Sequence, residues 1–219
     1  MANARFTAIF DWDGVIIDSS AYHRRSWDLL SLETGRALPV GHFEKGFGKK
    51  NEIIIPDILE WTKDAQEIQT IANRKEELYR QLLGEEGIAP MQGVEALLGA
   101  LCNAGIPCGV GSSTPRANID LVMELAELGE YFQTIVSAED VHHGKPDPDV
   151  FLQVATRLRA EPAKCVVFED AFVGIEAAHR AGMRVVGVAT TNPLEKLEDA
   201  DLAVQSLTEI SLQTLENLF

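Results

Sequence analysis

Two aspartates two positions apart, Asp11 and Asp13, close the apolar run "FTAIF" and are followed by glycine in "IFDWDGVIIDS". Asp and Gly are ordinary turn residues, so this stretch alone also suits a solvated turn. Three further places carry residues of chemical use. "GVGSST" puts Ser112, Ser113 and Thr114 after a second apolar run, "HHGKPDPDVF" puts Lys145 after a third, and "KCVVFED" ends a fourth on Glu169 and Asp170. Carboxylates gathered in one place repel one another unless a cation holds them. Hard oxygen donors of this kind suit Mg2+, which commonly bridges protein carboxylates and substrate phosphate. The serines precede a helical pattern whose N-terminus offers unpaired N–H groups and a dipole favourable to an anion. With Lys145 as a cation, the set outlines phosphoryl transfer: metal, anion cradle, positive charge and a spare carboxylate.

Such residues act together only if the chain brings their strand ends to one edge. The runs "FTAIF", "IPCGVG", "TIVS", "KCVVF" and "RVVGV" have strand length and no polar alternation, the pattern of a parallel sheet covered on both faces. Helical patterns lie between the later runs: "GVEALLGALCNAG", "PRANIDLVMELAEL", "DPDVFLQVATRLRA" and "VGIEAAHRAG". Thr114-Pro115, Asp147-Pro148 and Asn192-Pro193 read as N-caps followed by proline in the first helical position. Gly105 and Gly182 sit where helices should stop. Alternation of this kind predicts an α/β fold, a Rossmann-like doubly wound parallel sheet with right-handed crossovers. Ligands of such a sheet bind beyond the carboxyl ends of its strands, where the four acids, the hydroxyls and Lys145 fall.

About ninety residues between the first two runs carry no strand pattern. "SSAYHRRSWDLLSLETG", "KKNEIIIPDILEWT" and "KDAQEIQTIANRKEELYRQLLG" read as amphipathic helices, predicting a small α-helical domain inserted over residues 18–85, within a core of 1–17 and 86–219. Trp27 and Trp61 fit that domain's interior. His142 and His143 are adjacent, so their side chains diverge and read as loop residues.

The composition narrows the partners. With 46% hydrophobic and 24% charged residues, the chain is ordinary for a globular protein. No apolar run approaches the roughly 20 residues of a membrane span, and the apolar stretch of "MANARFTAIFDWDG" meets charge at Asp11, unlike a secretory signal. A net charge of −15 argues against nucleic acid. Cys102, Cys108 and Cys165 lack C-x-x-C spacing and read as reduced, buried thiols of a cytoplasmic protein.

"FDWDGVIIDS", "GVGSST", "GKPDPDVF" and "VVFEDAFVGIEAAHRAG" resemble, in order, the four motifs of the haloacid dehalogenase superfamily of phosphotransferases. The inserted helices resemble the helical cap of the subgroup that contains β-phosphoglucomutase and many small sugar phosphatases. The resemblance implies that Asp11 takes the phosphoryl group as an aspartyl phosphate, with Asp13 as general acid and then base. It implies Mg2+ on Asp11, the Asp13 carbonyl, Glu169 and Asp170. Ser112 and Lys145 would bind the phosphoryl oxygens, helped by amides near Trp12, Asp13 and Ser113.

In this comparison Ser19 and His23 fall at hinge positions, Lys45 and Lys75 align with cap residues, and Lys49 replaces an arginine that grips a second phosphate. Lysine binds phosphate as a point charge, without arginine's bidentate fork. Thr114-Pro115-Arg116 also replaces a polar run that holds that phosphate, with Arg116 as its one cation. The expected activity is therefore a monomeric Mg2+-dependent phosphatase acting on a small phosphorylated metabolite, a sugar phosphate or similar polyol. Phosphomutase activity is the alternative. A phosphonoacetaldehyde hydrolase, which "FDW" and a cap lysine resemble, would carry a small residue where Asp13 stands, and a non-catalytic phosphate-binding module would not need the full acidic set.

Overall fold

Runs of Val, Ile, Ala and Phe without alternating polar residues leave no face for water, so they are stable only in the middle of a covered sheet. The computed structural model describes residues 5–46 and 48–219. Its strands are β1 (Thr7–Phe10), β2 (Cys108–Gly111), β3 (Thr134–Val136), β4 (Cys165–Glu169), β5 (Arg184–Val188) and β6 (Leu202–Val204). They form one parallel sheet in the order β3-β2-β1-β4-β5-β6. The edge strand β6 escapes the sequence reading because its Leu-Ala-Val holds one β-branched residue, whereas the equally short edge strand β3, Thr-Ile-Val, is β-branched throughout.

Register fixes the site. Phe10 pairs with Val110 on one side and Phe168 on the other, so Asp11, Gly111 and Glu169 follow in one row. Phe10 and Phe168 stack with ring centroids 4.4 Å apart, a contact worth about 0.5–1.5 kcal/mol beyond its buried area. The order of connection reverses at β1, between β2 and β4, and crevices for ligands open at such switch points.

Helices α1 (Ser20–Thr34), α2 (His42–Gly46), α3 (Asn51–Ile53) and α4 (Ala65–Glu86) lie in the long insertion; α5 (Val94–Asn103), α6 (Arg116–Leu125), α7 (Asp149–Leu158), α8 (Phe172–Arg180) and α9 (Leu212–Glu216) follow it. Among the described residues, none of these helices is long and apolar enough to cross a membrane. By contacts the chain divides into two compact units, Met1–Asp18 with Ala89–Phe219, and Ser19–Ile88. The first is built on the sheet, where Ile9, Phe151, Val154, Val167, Ile175 and Val185 are buried together.

The second unit is helical and has its own core of Trp27, Leu30, Phe43, Ile55, Ile71 and Leu78. Trp27 meets Trp61 edge-to-face at 6.0 Å within it. The helix expected across "KKNEIIIPDILEWT" is interrupted: α3 gives way to a π-helical turn at Ile54–Ile58. Pro56 has no N–H to give to an α-helical ladder and its ring crowds the preceding turn, which favours the wider winding.

Three local expectations change. α6 starts at Arg116, and Thr114 does not cap it: the Thr114 hydroxyl donates to Asp13, while the Glu139 carboxylate accepts from the Arg116 amide at 3.0 Å. Asn192 likewise sends its side-chain amide to the Asp170 carbonyl instead of capping a helix. Cys108 and Cys165 are buried thiols, but Cys102 is exposed on α5. The Asp147 carboxylate accepts from the amide of Asp149, the first residue of α7, at 3.1 Å, with Pro148 at the cap position between them.

Candidate active site

The turn after β1 is built by its own backbone. The Asp11 amide donates to the Phe168 carbonyl at 3.0 Å, extending the sheet by one residue. The Trp12 carbonyl then accepts from the Ile16 amide at 2.9 Å, and the Gly14 amide donates to Ile17 at 2.8 Å. Gly14 is required twice over. Its φ is +81°, a region side chains rarely tolerate, and a Cβ there would lie 1.9 Å from Asp170 Oδ2. The Asp170 carboxylate therefore occupies the space that a side chain at position 14 would need.

Asp11, Glu169 and Asp170 each bring a carboxylate oxygen within 4.8 Å of the others, and all three are buried. Lys145 enters from the loop before α7. Its Nζ lies 2.8 Å from Asp11 Oδ1 and 2.6 Å from Glu169 Oε1, over the Phe151 ring at 4.8 Å. Glu169 Oε2 accepts from the Asp170 and Ala171 amides, both at 2.7 Å, so this carboxylate also ties the start of α8 to the site. It lies across Gly174, where a Cβ would come 1.7 Å from Oε1.

Electrostatics follow from burial. Desolvation pushes the Asp11 carboxyl up to about 7, opposed by Lys145 and reinforced by Glu169 and Asp13. Asp170 rises to about 8, from burial and then from the charges of Glu169 and Asp11. Burial by itself would lower the Lys145 ammonium, yet Asp11 and Glu169 hold it above the ordinary lysine range. Three carboxyl groups thus face one ammonium, and fully ionised they would carry a surplus of two negative charges, which is why two of them hold their protons in the absence of a further cation. An all-oxygen, buried donor set with that surplus fits a hard divalent cation.

Asp13 is half-buried and accepts from the Thr114 hydroxyl, which sequence reasoning assigned to a helix start. Ser112 is buried, its hydroxyl accepting from the Thr114 amide at 3.1 Å; Ser113 is half-buried beside it. Among the described residues, the amides of Trp12 and Ser113 meet no carbonyl of the chain. Thr191, which the sequence reading does not single out, and Asn192, which it reads only as a helix cap, reach Asp170 from the loop after β5. His142 and His143 are exposed loop residues. The Arg116 guanidinium is bound to Asp120 Oδ1 at 2.7 Å on the outside of α6.

In the helical unit the structure brings two of the expected residues together and not the others. Lys75 is buried, with Nζ 2.5 Å from His23 Nδ1 and 2.8 Å from Glu76 Oε1. Burial would raise Glu76, but the Lys75 and His23 charges with hydrogen bonds from Lys75 and Asn51 bring it down to about 2. Lys45 and Lys49 are exposed.

The model of the haloacid dehalogenase-like hydrolases matches residues 7–182, which takes in all four carboxylates and Lys145. The chain belongs to this family. As a haloacid dehalogenase-like hydrolase it is 35% identical to the chloroplastic 5-amino-6-(5-phospho-D-ribitylamino)uracil phosphatase of Arabidopsis thaliana over 96% of its own length, and it spans 57% of that relative. It is 34% identical to the β-phosphoglucomutase of Bacillus subtilis, covering 94% of this chain and 92% of that one. The crystal structure of β-phosphoglucomutase from Clostridium difficile superposes with a TM-score of 0.85 at 28% identity, covering 99% of this chain and 97% of that one.

Proposed function

We propose that this hydrolase is a Mg2+-dependent phosphatase of small phosphorylated metabolites, a sugar or polyol phosphate, working through an aspartyl phosphate on Asp11. The observation that carries the reading is the Asp11–Lys145–Glu169 contact beside Asp170: a buried nucleophile candidate, a cation for phosphoryl oxygens, and a carboxylate surplus that a divalent cation would balance. Asp11, the Asp13 carbonyl and Asp170, with Glu169 completing the acidic set, would hold Mg2+. When bound it would neutralise charge on the transferring phosphoryl group.

The protein's own residues do the rest. An Asp11 oxygen attacks phosphorus; the Asp11–phosphorus bond forms as the bond to the leaving oxygen breaks, and Asp13 gives that oxygen its proton. Water then attacks phosphorus while Asp13 takes a proton from it, the acyl–phosphate bond breaks, and inorganic phosphate departs with Asp11 restored. Thr114 holds Asp13 for both proton transfers. Lys145, Ser112 and the Trp12 and Ser113 amides receive the phosphoryl oxygens, and Glu169 keeps Lys145 in place. Splitting one hard displacement into two is covalent catalysis by a carboxylate.

Hydrolysis is favoured over mutase chemistry because Arg116, the cation available for a second phosphate, is engaged with Asp120, and Lys49 offers no bidentate fork. A phosphorylated ribityl chain is part of the substrate named for the Arabidopsis relative, which supports a polyol phosphate. The similarity to β-phosphoglucomutase over nearly the whole chain is what keeps phosphomutase activity as the second reading. The helical unit, with His23, Lys45, Lys49 and Lys75, is read as the cap that selects the molecule carrying the phosphate. The test is Asp11→Asn: it should abolish phosphate release and leave the fold intact, and a folded variant that still turns over would refute the mechanism.

A further inference from the structure

The loop between β5 and the edge strand β6 carries no residue that the family's motifs supply, yet it makes two contacts to the acidic cluster. The Thr191 hydroxyl donates to Asp170 Oδ2, and Asn192 Nδ2 donates to the Asp170 carbonyl at 2.9 Å. The Asp170 amide is already committed to Glu169 Oε2 at 2.7 Å. Amide, carbonyl and one carboxylate oxygen of Asp170 are therefore each fixed by a different partner.

The loop itself is anchored at both ends. The Ala189 amide donates to the Val204 carbonyl at 2.9 Å, and Leu197 beyond the loop is fully buried in the sheet's core. Asp170 has no helix to lock its rotamer, because it sits between the last residue of β4 and the first of α8. The residue after it is Ala171, which has no hydroxyl to offer. Oδ2 also packs against Gly14, where no side chain can bear on it. Thr191 is thus the side chain that holds Oδ2.

We infer that Thr191 and Asn192 are positioning residues that present Asp170 to the divalent cation, with edge strand β6 serving to hold their loop. The inference rests on the reading of Asp170 as a metal carboxylate. Partners of metal ligands matter because an unanchored carboxylate must be ordered when the ion arrives, and their loss typically weakens binding by about 10–100-fold.

The experiment measures Mg2+ binding to the substrate-free protein by calorimetry, for wild type, Thr191→Val, Thr191→Ser and Asn192→Ala. Thr191→Val should weaken Mg2+ binding at least about tenfold, Thr191→Ser should restore it, and Asn192→Ala should weaken it in the same direction. In the coupled assay, Thr191→Val should need more Mg2+ for half-maximal rate and recover its rate and substrate KM at saturating Mg2+. Should Thr191→Val not fold, Asn192→Ala decides. Unchanged Mg2+ affinity in a folded Thr191→Val or, failing that, Asn192→Ala overturns the inference, as does a serine variant no better than valine. If wild type itself binds no Mg2+, the metal reading of the site falls and this inference falls with it; wild-type binding with unaffected variants removes the inference alone.

Discussion

Lys145 Nζ lies 2.8 Å from Asp11 Oδ1, so the carboxylate proposed to attack phosphorus carries its counter-cation before any phosphate arrives. The same ammonium serves Glu169, and both carboxylates are buried. One lysine thus holds the polar centre of the site together, and its removal should affect both fold and rate.

Lys145→Met should leave Asp11 and Glu169 facing each other without a cation. Breaking a buried pair by removing one partner costs about 3–5 kcal/mol, and protonation of the carboxyls will offset part of that at low pH. Urea unfolding of the metal-free protein should show the loss most strongly on the alkaline side. Phosphate release should fall by at least about a hundredfold, through the lost contact to phosphoryl oxygens.

Metal-free stability should decline as pH rises through the neutral range. Asp11 and Asp170 are raised from an ordinary 3.8 to about 7 and about 8. The folded state therefore holds these protons more tightly than the unfolded chain does. That contribution is complete below the unfolded value and is lost as pH passes the folded values. Bound Mg2+ stabilises the ionised forms, so its stabilising increment should grow with pH. Thermal unfolding at about pH 6 and about pH 8.5, with and without Mg2+, reads both trends; an increment that shrinks with pH would contradict the arrangement.

Gly174→Ala places a Cβ where Glu169 now lies, 1.7 Å from Oε1. The variant should fold with a loss of about 1–3 kcal/mol. Displacement of Glu169 and Lys145 by an ångström should lower kcat by about a hundredfold. Wild-type kcat in this variant would show that Glu169 can move without consequence for Lys145.

Within the helical unit, Lys75 and Glu76 form a buried pair at 2.8 Å, their side chains only 3% and 11% exposed. Lys75→Met should destabilise by about 3–5 kcal/mol, while Lys75→Met with Glu76→Leu should recover much of that. Glu76 is depressed to about 2, so the pair's stabilisation is present above the ordinary carboxyl range and lost only as pH falls toward 2. Chemical unfolding of the double-mutant cycle measures the coupling, and additivity of the two single changes would rule it out.

Incubation with β-glucose 1-phosphate and a bisphosphate primer separates hydrolysis from mutase chemistry. Inorganic phosphate should appear in step with sugar phosphate consumed. Accumulation of glucose 6-phosphate without matching free phosphate would select the mutase reading.

Much of this architecture was legible because its signals are local and strong. Five strands announce themselves as unbroken apolar runs, and the acids at the ends of β1 and β4 are conspicuous there. What was not legible depends on partners distant in sequence. β6 is Leu-Ala-Val, with one β-branched residue to mark it, while β3, as short and at the opposite edge, is Thr-Ile-Val. Thr114 and Asn192 each precede or approach a proline and so look like caps, but their side chains serve Asp13 and Asp170. Gly14 and Gly174 read as a turn and a helix residue; only the folded chain shows that each clears space for a carboxylate. Lys75 reads as one surface lysine among several, and only packing sets it against His23 and Glu76.

The most direct test of the central claim is to trap the acyl phosphate. The enzyme is mixed with Mg2+ and a rapidly hydrolysed sugar phosphate, quenched in acid, reduced with borohydride and mapped by mass spectrometry. Reduction of an aspartyl phosphate yields homoserine, and the account predicts that conversion at Asp11, dependent on substrate and absent in Asp11→Asn. Turnover with Asp11 unmodified, or conversion at Asp13 or Asp170 instead, would contradict it.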